Sequence, residues 1–176
     1  AAAKHAHVFR TSGPYGIAAA EPKVDFKKVR DHIRKVIAAI EPHDSAARFE
    51  KLGVKVVPGA AKFRDAKTLE SGGGIFSAKR IVIATGSRPA VPAIPGLETV
   101  AYFTNETIFE NSVLPKHLII IGGGAIGMEL AQAHRRLGSA VTVIEAFTPL
   151  AKDDPELAAV VLESLRRDGV KIFAET

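Results

Sequence analysis

Gly122, Gly124 and Gly127 stand at the spacing G-x-G-x-x-G, and Glu145 follows the first of them by 23 residues. At that spacing the glycines suit one task, the seating of a pyrophosphate. Gly122 permits a tight turn, Gly124 lets the main chain approach the phosphates, and Gly127 brings the next helix close to the sheet. Small Ala131, one turn later, serves the same close approach. Gly123, Ala125 and Ile126 complete the loop, whose unpaired N–H groups lie at the positive end of a helix. A carboxylate at Glu145 would accept hydrogen bonds from both ribose hydroxyls and repel a 2′-phosphate.

Three glycines alone are weak grounds; the elements around them carry the reading. Residues 118–121 are a continuous aliphatic run, as expected of a parallel strand buried on both faces. Ile126, Leu130, Ala133 and Leu137 then repeat at helical spacing, closed by Gly138. Residues 140–144 form a second strand ending on Glu145. Pro155, preceded by the capping candidates Asp153 and Asp154, opens a helix bearing Leu157, Val160, Val161 and Leu165 that closes near Gly169. Residues 170–173 begin a third strand. The pattern is β-α-β-α-β, half of a doubly wound sheet.

Upstream the chain reads differently. Residues 1–11 predict a short helix stopped at Gly13-Pro14, and residues 23–40 an amphipathic one interrupted at Pro42. Phe26, Val29, Ile33, Val36, Ile37 and Ile40 mark its expected buried face. Lys27, Lys28, Arg30, Arg34 and Lys35 then form a solvated face rather than a nucleic-acid patch. Asp44 or Ser45 caps a further turn ending at Gly53. Short strands are expected at 54–57 and 61–63, a hairpin of 68–70 with 74–77, and a buried aliphatic strand at 80–84. Pro89, Pro92, Pro95 and Gly96 then punctuate an extended connection.

Composition narrows the classes further. The 176 residues are 47% hydrophobic and 24% charged, and no apolar stretch approaches the roughly 18 residues of a membrane span. Cysteine is absent, so these residues hold no disulfide, thiolate metal site or cysteine nucleophile. The six histidines are scattered without carboxylates at ligand spacing, and no metal site is expected. The net charge of +5 comes from residues 1–115, with 17 Lys/Arg against 11 Asp/Glu; residues 116–176 carry 7 against 8. No secretory signal or initiator methionine opens the chain, and a cytoplasmic piece of a longer protein is the expectation.

With these motifs in order, the chain resembles the flavin-dependent pyridine nucleotide–disulfide oxidoreductases, the family of dihydrolipoamide dehydrogenase, glutathione reductase and mercuric reductase. Residues 81–89, with Ala84-Thr85-Gly86-Ser87 at their centre, are similar to the family's A-T-G segment beside the flavin dinucleotide. Pro92 to Gly96 resembles the crossing into the nicotinamide domain. Gly59 and Ala60, before Ala61-Lys62-Phe63, resemble the turn that meets the flavin's adenine. The loop Gly122 to Gly127 resembles the nicotinamide fingerprint with its trailing acid, Glu129, which in relatives lies near the flavin and pairs with a lysine.

The resemblance implies an α/β chain with a partial FAD-binding Rossmann-type domain and β-meander over 1–115, linker included. The N-terminal half of an NAD-binding Rossmann domain follows over 116–176. It implies FAD and NAD as cofactors, a small-molecule, metal-ion or disulfide substrate, and a homodimeric parent enzyme acting on neither nucleic acid nor membrane. The family's own flavin G-x-G-x-x-G, its C-x-x-x-x-C pair and its His-Glu acid–base pair are not among these residues, so no catalytic residue is assigned. Ala125 stands where some relatives carry a tyrosine over the nicotinamide pocket. Two alternatives stay open: a non-catalytic nucleotide-binding module, and a flavoprotein that oxidises NADH without a redox disulfide.

Overall fold

A computed structural model describes all 176 residues, Ala1–Thr176. The chain forms two compact units, one of residues 1–33 with 102–176 and the other of residues 34–101. These are groupings by packing, and they cut the chain elsewhere than residue 115.

In the first unit, α1 (Ala2–Thr11) ends ahead of Gly13-Pro14, as its sequence requires. A three-stranded parallel sheet follows in the order β4 (His117–Ile121), β5 (Ala140–Ile144), β6 (Lys171–Phe173). Leu118 pairs with Val141 and Ile120 with Val143, while Val143 also pairs with Ile172. The crossovers are α4 (Ala125–Leu137), ended by Gly138, and α5 (Pro155–Arg167). Asp154 caps α5 by accepting from the N–H groups of Glu156 and Leu157. Met128, Ala131, Val141, Val143, Leu150, Ala158, Leu165 and Val170 form the core beneath them.

Several expected faces are differently placed. Strand β4 is covered on one face only: Leu118 and Ile120 are half-buried, but Ile119 is 57% and Ile121 49% exposed. Both crossovers from parallel neighbours lie over the side of the sheet that holds Val141 and Val143. The other side, with Ile119, Ile121 and Phe173, stays open to solvent. In α4 the buried stripe is Met128, Ala131, His134 and Leu137, so Ile126 is exposed and Leu130 and Ala133 only partly covered. His134 disguised that stripe: its Nδ1 meets the Leu130 carbonyl at 2.9 Å and its ring sits beside Phe26. In α5, Ala158 and Leu165 are buried, whereas Leu157, Val160 and Val161 are exposed.

Helix α2 spans Phe26–Ile40 rather than starting at Lys23, because Asp25 stays outside and accepts from the N–H of Lys28. None of its residues is buried. Phe26, Val29 and Ile33 are half-covered, and Val36, Ile37 and Ile40 are exposed. Periodicity sets which residues share a face; burial needs a surface to meet it.

The second unit holds α3 (Ala46–Lys51), capped by Ser45, and an antiparallel meander of β1 (Lys62–Asp65), β2 (Thr68–Ser71) and β3 (Gly74–Ser77). The hairpin falls at the expected turn, with Ser71 opposite Gly74. Residues 54–57 are not a strand: Val57 instead lies on the Gly72 turn, where a Cβ at Gly72 would meet its Cγ1 at 2.9 Å. Residues 80–84 are not a buried strand either. Val82 is 87% and Ile83 71% exposed, since a parallel strand exists only by pairing and the meander ends at β3.

The open side of the parallel sheet should bind a hydrophobic dye and promote self-association at micromolar concentration. Replacing both Ile119 and Ile121 by Thr should lower dye fluorescence and sedimentation rate together. A monomer that excludes the dye before any substitution would show that this face is covered in solution.

Candidate functional site

The glycine loop is built by the junction of β4 and α4. Ile121 ends the strand, and Gly122 turns with φ of 107°, a conformation that side chains with a Cβ rarely adopt. Its N–H still donates to the Ile144 carbonyl at 2.9 Å, so the turn starts from the sheet ladder itself. Gly123 is gripped on both sides: its N–H donates to Glu145 Oε2 at 2.5 Å, and its carbonyl accepts from the Leu150 N–H at 2.9 Å. Gly127 meets the backbone most closely. A Cβ there would overlap the Gly122 carbonyl oxygen and lie 3.4 Å from Ile120 Cγ2. Ala131 beneath it is fully buried.

Helix α4 begins without a side-chain cap, and its first inward bond runs from the Met128 N–H to the Gly124 carbonyl. The N–H groups of Ala125, Ile126 and Gly127 therefore have no protein acceptor. A Cβ at Gly124 would meet nothing within 4 Å, so the space before those donors is open. An open cradle, three free donors and a helix N-terminus fit an anionic pyrophosphate.

Glu145 closes the site from the end of β5. Besides the Gly123 N–H, its Oε1 accepts from the Phe147 N–H at 2.9 Å. These bonds, Gly123 foremost, hold its carboxyl below the usual carboxylate range. A carboxyl lowered in the folded state stabilises it above its unfolded value and loses that contribution as pH falls through the folded one. The Gly123 amide resonance should accordingly titrate below pH 4.5, the ordinary value for this group, and stay fixed at neutral pH. A Gly123 shift that titrates at or above that value would contradict the anchoring bond.

Glu129 lies elsewhere on α4. It is exposed, forms no ion pair, and lines a groove of about 340 Å³ with Gln132, Asp153, Asp154 and Leu157 between α4 and α5. In the second unit, Gly59 lies against the Gly72 backbone, its carbonyl 3.5 Å from the Ser71 hydroxyl, and Ala60 leads into β1. Ala84, Thr85, Gly86 and Ser87 run as an exposed, unpaired segment. No hydrogen bond joins them to Gly59 or Ala60.

Leu150 escaped sequence reasoning. It is buried at φ of 56°, unusual for a leucine, and turns the segment after Glu145 back onto Gly123. No residue type signals this; only the fold-back shows it.

A parallel β-α-β-α-β unit with a glycine turn and a strand-end acid is a half-Rossmann arrangement of the kind used to seat dinucleotides. The chain belongs to the pyridine nucleotide–disulphide oxidoreductase family, whose model matches residues 5–176. It is 34% identical over 167 residues to the mercuric reductase of Lysinibacillus sphaericus, covering 94% of this chain and 31% of that protein. With the mercuric reductase of Streptomyces lividans it shares 36% over 169 residues, 92% of this chain and 35% of the relative. The HOCl-induced flavoprotein disulfide reductase RclA of Escherichia coli superposes with a TM-score of 0.72 at 30% identity, over 87% of this chain and 36% of that one. The chain thus spans about a third of the length of the curated relatives it matches. No helix is long and apolar enough to cross a membrane.

Proposed function

We propose that residues 116–176 bind the nucleotide half of NADH and residues 1–115 line part of an FAD site. The whole enzyme would move electrons between NADH, FAD and a disulfide or metal-ion substrate. The carrying observation is Glu145, whose carboxylate lies against the glycine loop at the end of β5 while three helix N–H groups stand free before it. Gly122, Gly123, Gly124, Ala125, Ile126 and Gly127 would hold the pyrophosphate, and Glu145 the adenosine ribose. Gly59, Ala60, Ala84, Thr85, Gly86 and Ser87 are proposed for the flavin nucleotide, and Glu129 for the flavin side of the helix, from the family resemblance.

When bound, NADH would supply a hydride and FAD would accept it; the residues of this chain would contribute position and charge. The mercuric reductase relatives favour a metal-ion substrate beside a disulfide. A cytoplasmic homodimer completes the reading. Equilibrium dialysis with NADH tests it: the chain should bind NADH, and Gly124→Val should abolish binding by filling the open cradle. Undiminished binding in that variant would overturn the assignment. Without any cysteine, the 176 residues with added FAD should show no disulfide reduction above the free-flavin rate.

A further inference from the structure

The opposite end of the parallel sheet from the glycine loop carries a second concentration of charge. Lys116 precedes β4 and His117 opens it, Lys171 opens β6, and Arg135 reaches over from the last turn of α4. Together with Thr142 they line a cleft of about 540 Å³ that contains no carboxylate. Pairing sets Lys171 beside Thr142 across the strands, and His117 Nε2 lies 2.9 Å from the Thr142 hydroxyl. Neither lysine has a carboxylate partner.

Arg135 adds a guanidinium to the same cleft. Its side chain lies along Gly169, where an added Cβ would stand 2.9 Å from its Nε, and that Nε is buried without an acceptor. The guanidinium makes a single long hydrogen bond, from Nη1 to the Ser139 carbonyl at 3.4 Å. Glu21, the acid whose charge Arg135 feels, is held by Arg10. Nor do the helix ends consume these cations. In the last turn of α4 the His134 and Arg135 carbonyls accept from the Gly138 and Ser139 N–H groups and the Arg136 carbonyl from Arg10, while in α5 the Leu165 and Arg166 carbonyls accept from Val170 and Gly169. The Arg135 guanidinium and two ammonium groups without a carboxylate partner therefore line one cleft together, a concentration of positive charge that an oxyanion would offset.

We propose that this cleft is a second anion site, taking the phosphate groups of a small polyanionic ligand at the end of the sheet remote from the dinucleotide loop. Arg135 and Lys171 would grip the oxygens, with Lys116 adding charge and the Thr142 hydroxyl a donor. The inference does not rest on nucleotide binding by the glycine loop.

Pyrophosphate is the probe, measured by equilibrium dialysis on the full chain at constant ionic strength. Binding should weaken about tenfold or more in the double variant Lys116→Glu/Lys171→Glu. The double variant Lys27→Glu/Lys28→Glu, which changes net charge equally on α2, should leave it unchanged. Gly124→Val, which fills the other phosphate cradle, should also leave a binding event that the Lys116/Lys171 change removes. Equal losses in both lysine pairs would mean that net charge alone is read, and would overturn the site. Loss in Gly124→Val with none in Lys116→Glu/Lys171→Glu would place all pyrophosphate at the glycine loop, and would overturn it too. No measurable binding by the native chain also refutes the proposal.

Discussion

Gly127→Ala should destabilise the parallel-sheet unit by about 3 kcal/mol or more and abolish NADH binding, although only one methyl group is added. That methyl would overlap the Gly122 carbonyl oxygen, a backbone atom whose peptide is held by the bond from the Gly123 N–H to Glu145. No side chain can swing away to make room, so strand and helix must separate. Gly124→Ala is the contrasting case: its methyl meets open space, and the helix-start backbone there is ordinary extended chain, φ −76° and ψ 176°. Its stability should change by less than about 1 kcal/mol, with the loss confined to nucleotide affinity. Denaturant midpoints and amide exchange of residues 118–121 separate the two variants. A Gly127→Ala chain within about 1 kcal/mol of the native one would mean that helix and strand are farther apart than the structure places them.

The same contrast shows what sequence could and could not deliver. The glycine turn, the two crossovers and the hairpin at Ser71–Gly74 were all legible, because glycine spacing, capping residues and period are local properties. The parallel order followed from them, and the β-meander was implied by the family resemblance that the motifs carry. What failed was burial. Ile119, Ile121, Val36 and Val82 are as apolar as any core residue, but exposure depends on whether another surface covers them, which no local pattern encodes. Residues 80–84 failed for a related reason, since an isolated parallel strand is not a stable object. In α4 the difference is one of phase: the expected face of Ile126, Leu130, Ala133 and Leu137 omits His134, which is buried and satisfied by its own helix carbonyl. Leu150 could not have been found from its type. The grip of Glu145 on Gly123 was partly foreseeable, since an acid at that place was expected to face ribose but not to anchor the loop itself.

With the ribose role proposed for it beside this anchoring bond, Glu145 is the most informative position for cofactor choice. NADH should bind tighter than NADPH by roughly ten- to a hundredfold, equivalent to about 1–3 kcal/mol for an unpaired phosphate beside a carboxylate. A 2′-phosphate would approach the carboxylate oxygens and compete for the Gly123 N–H, while residues 146–149 offer no cation and Lys152 is the nearest in sequence. Ribose hydroxyls, by contrast, can donate to the lone pairs left on Oε1 and Oε2 without displacing either loop bond. Glu145→Ala should therefore weaken NADH, strengthen NADPH relative to it and loosen the Gly123 amide, all in one variant. Glu145→Gln separates the causes, because its amide oxygen can still accept one loop N–H while the charge is gone. Its preference should fall with that of Glu145→Ala, and its Gly123 amide exchange should stay nearer the native rate. Dissociation constants for both dinucleotides, beside exchange of the Gly123 amide, measure each effect. Equal affinity of the native chain for NADH and NADPH would remove Glu145 from the discriminating role and leave it only as the loop's anchor.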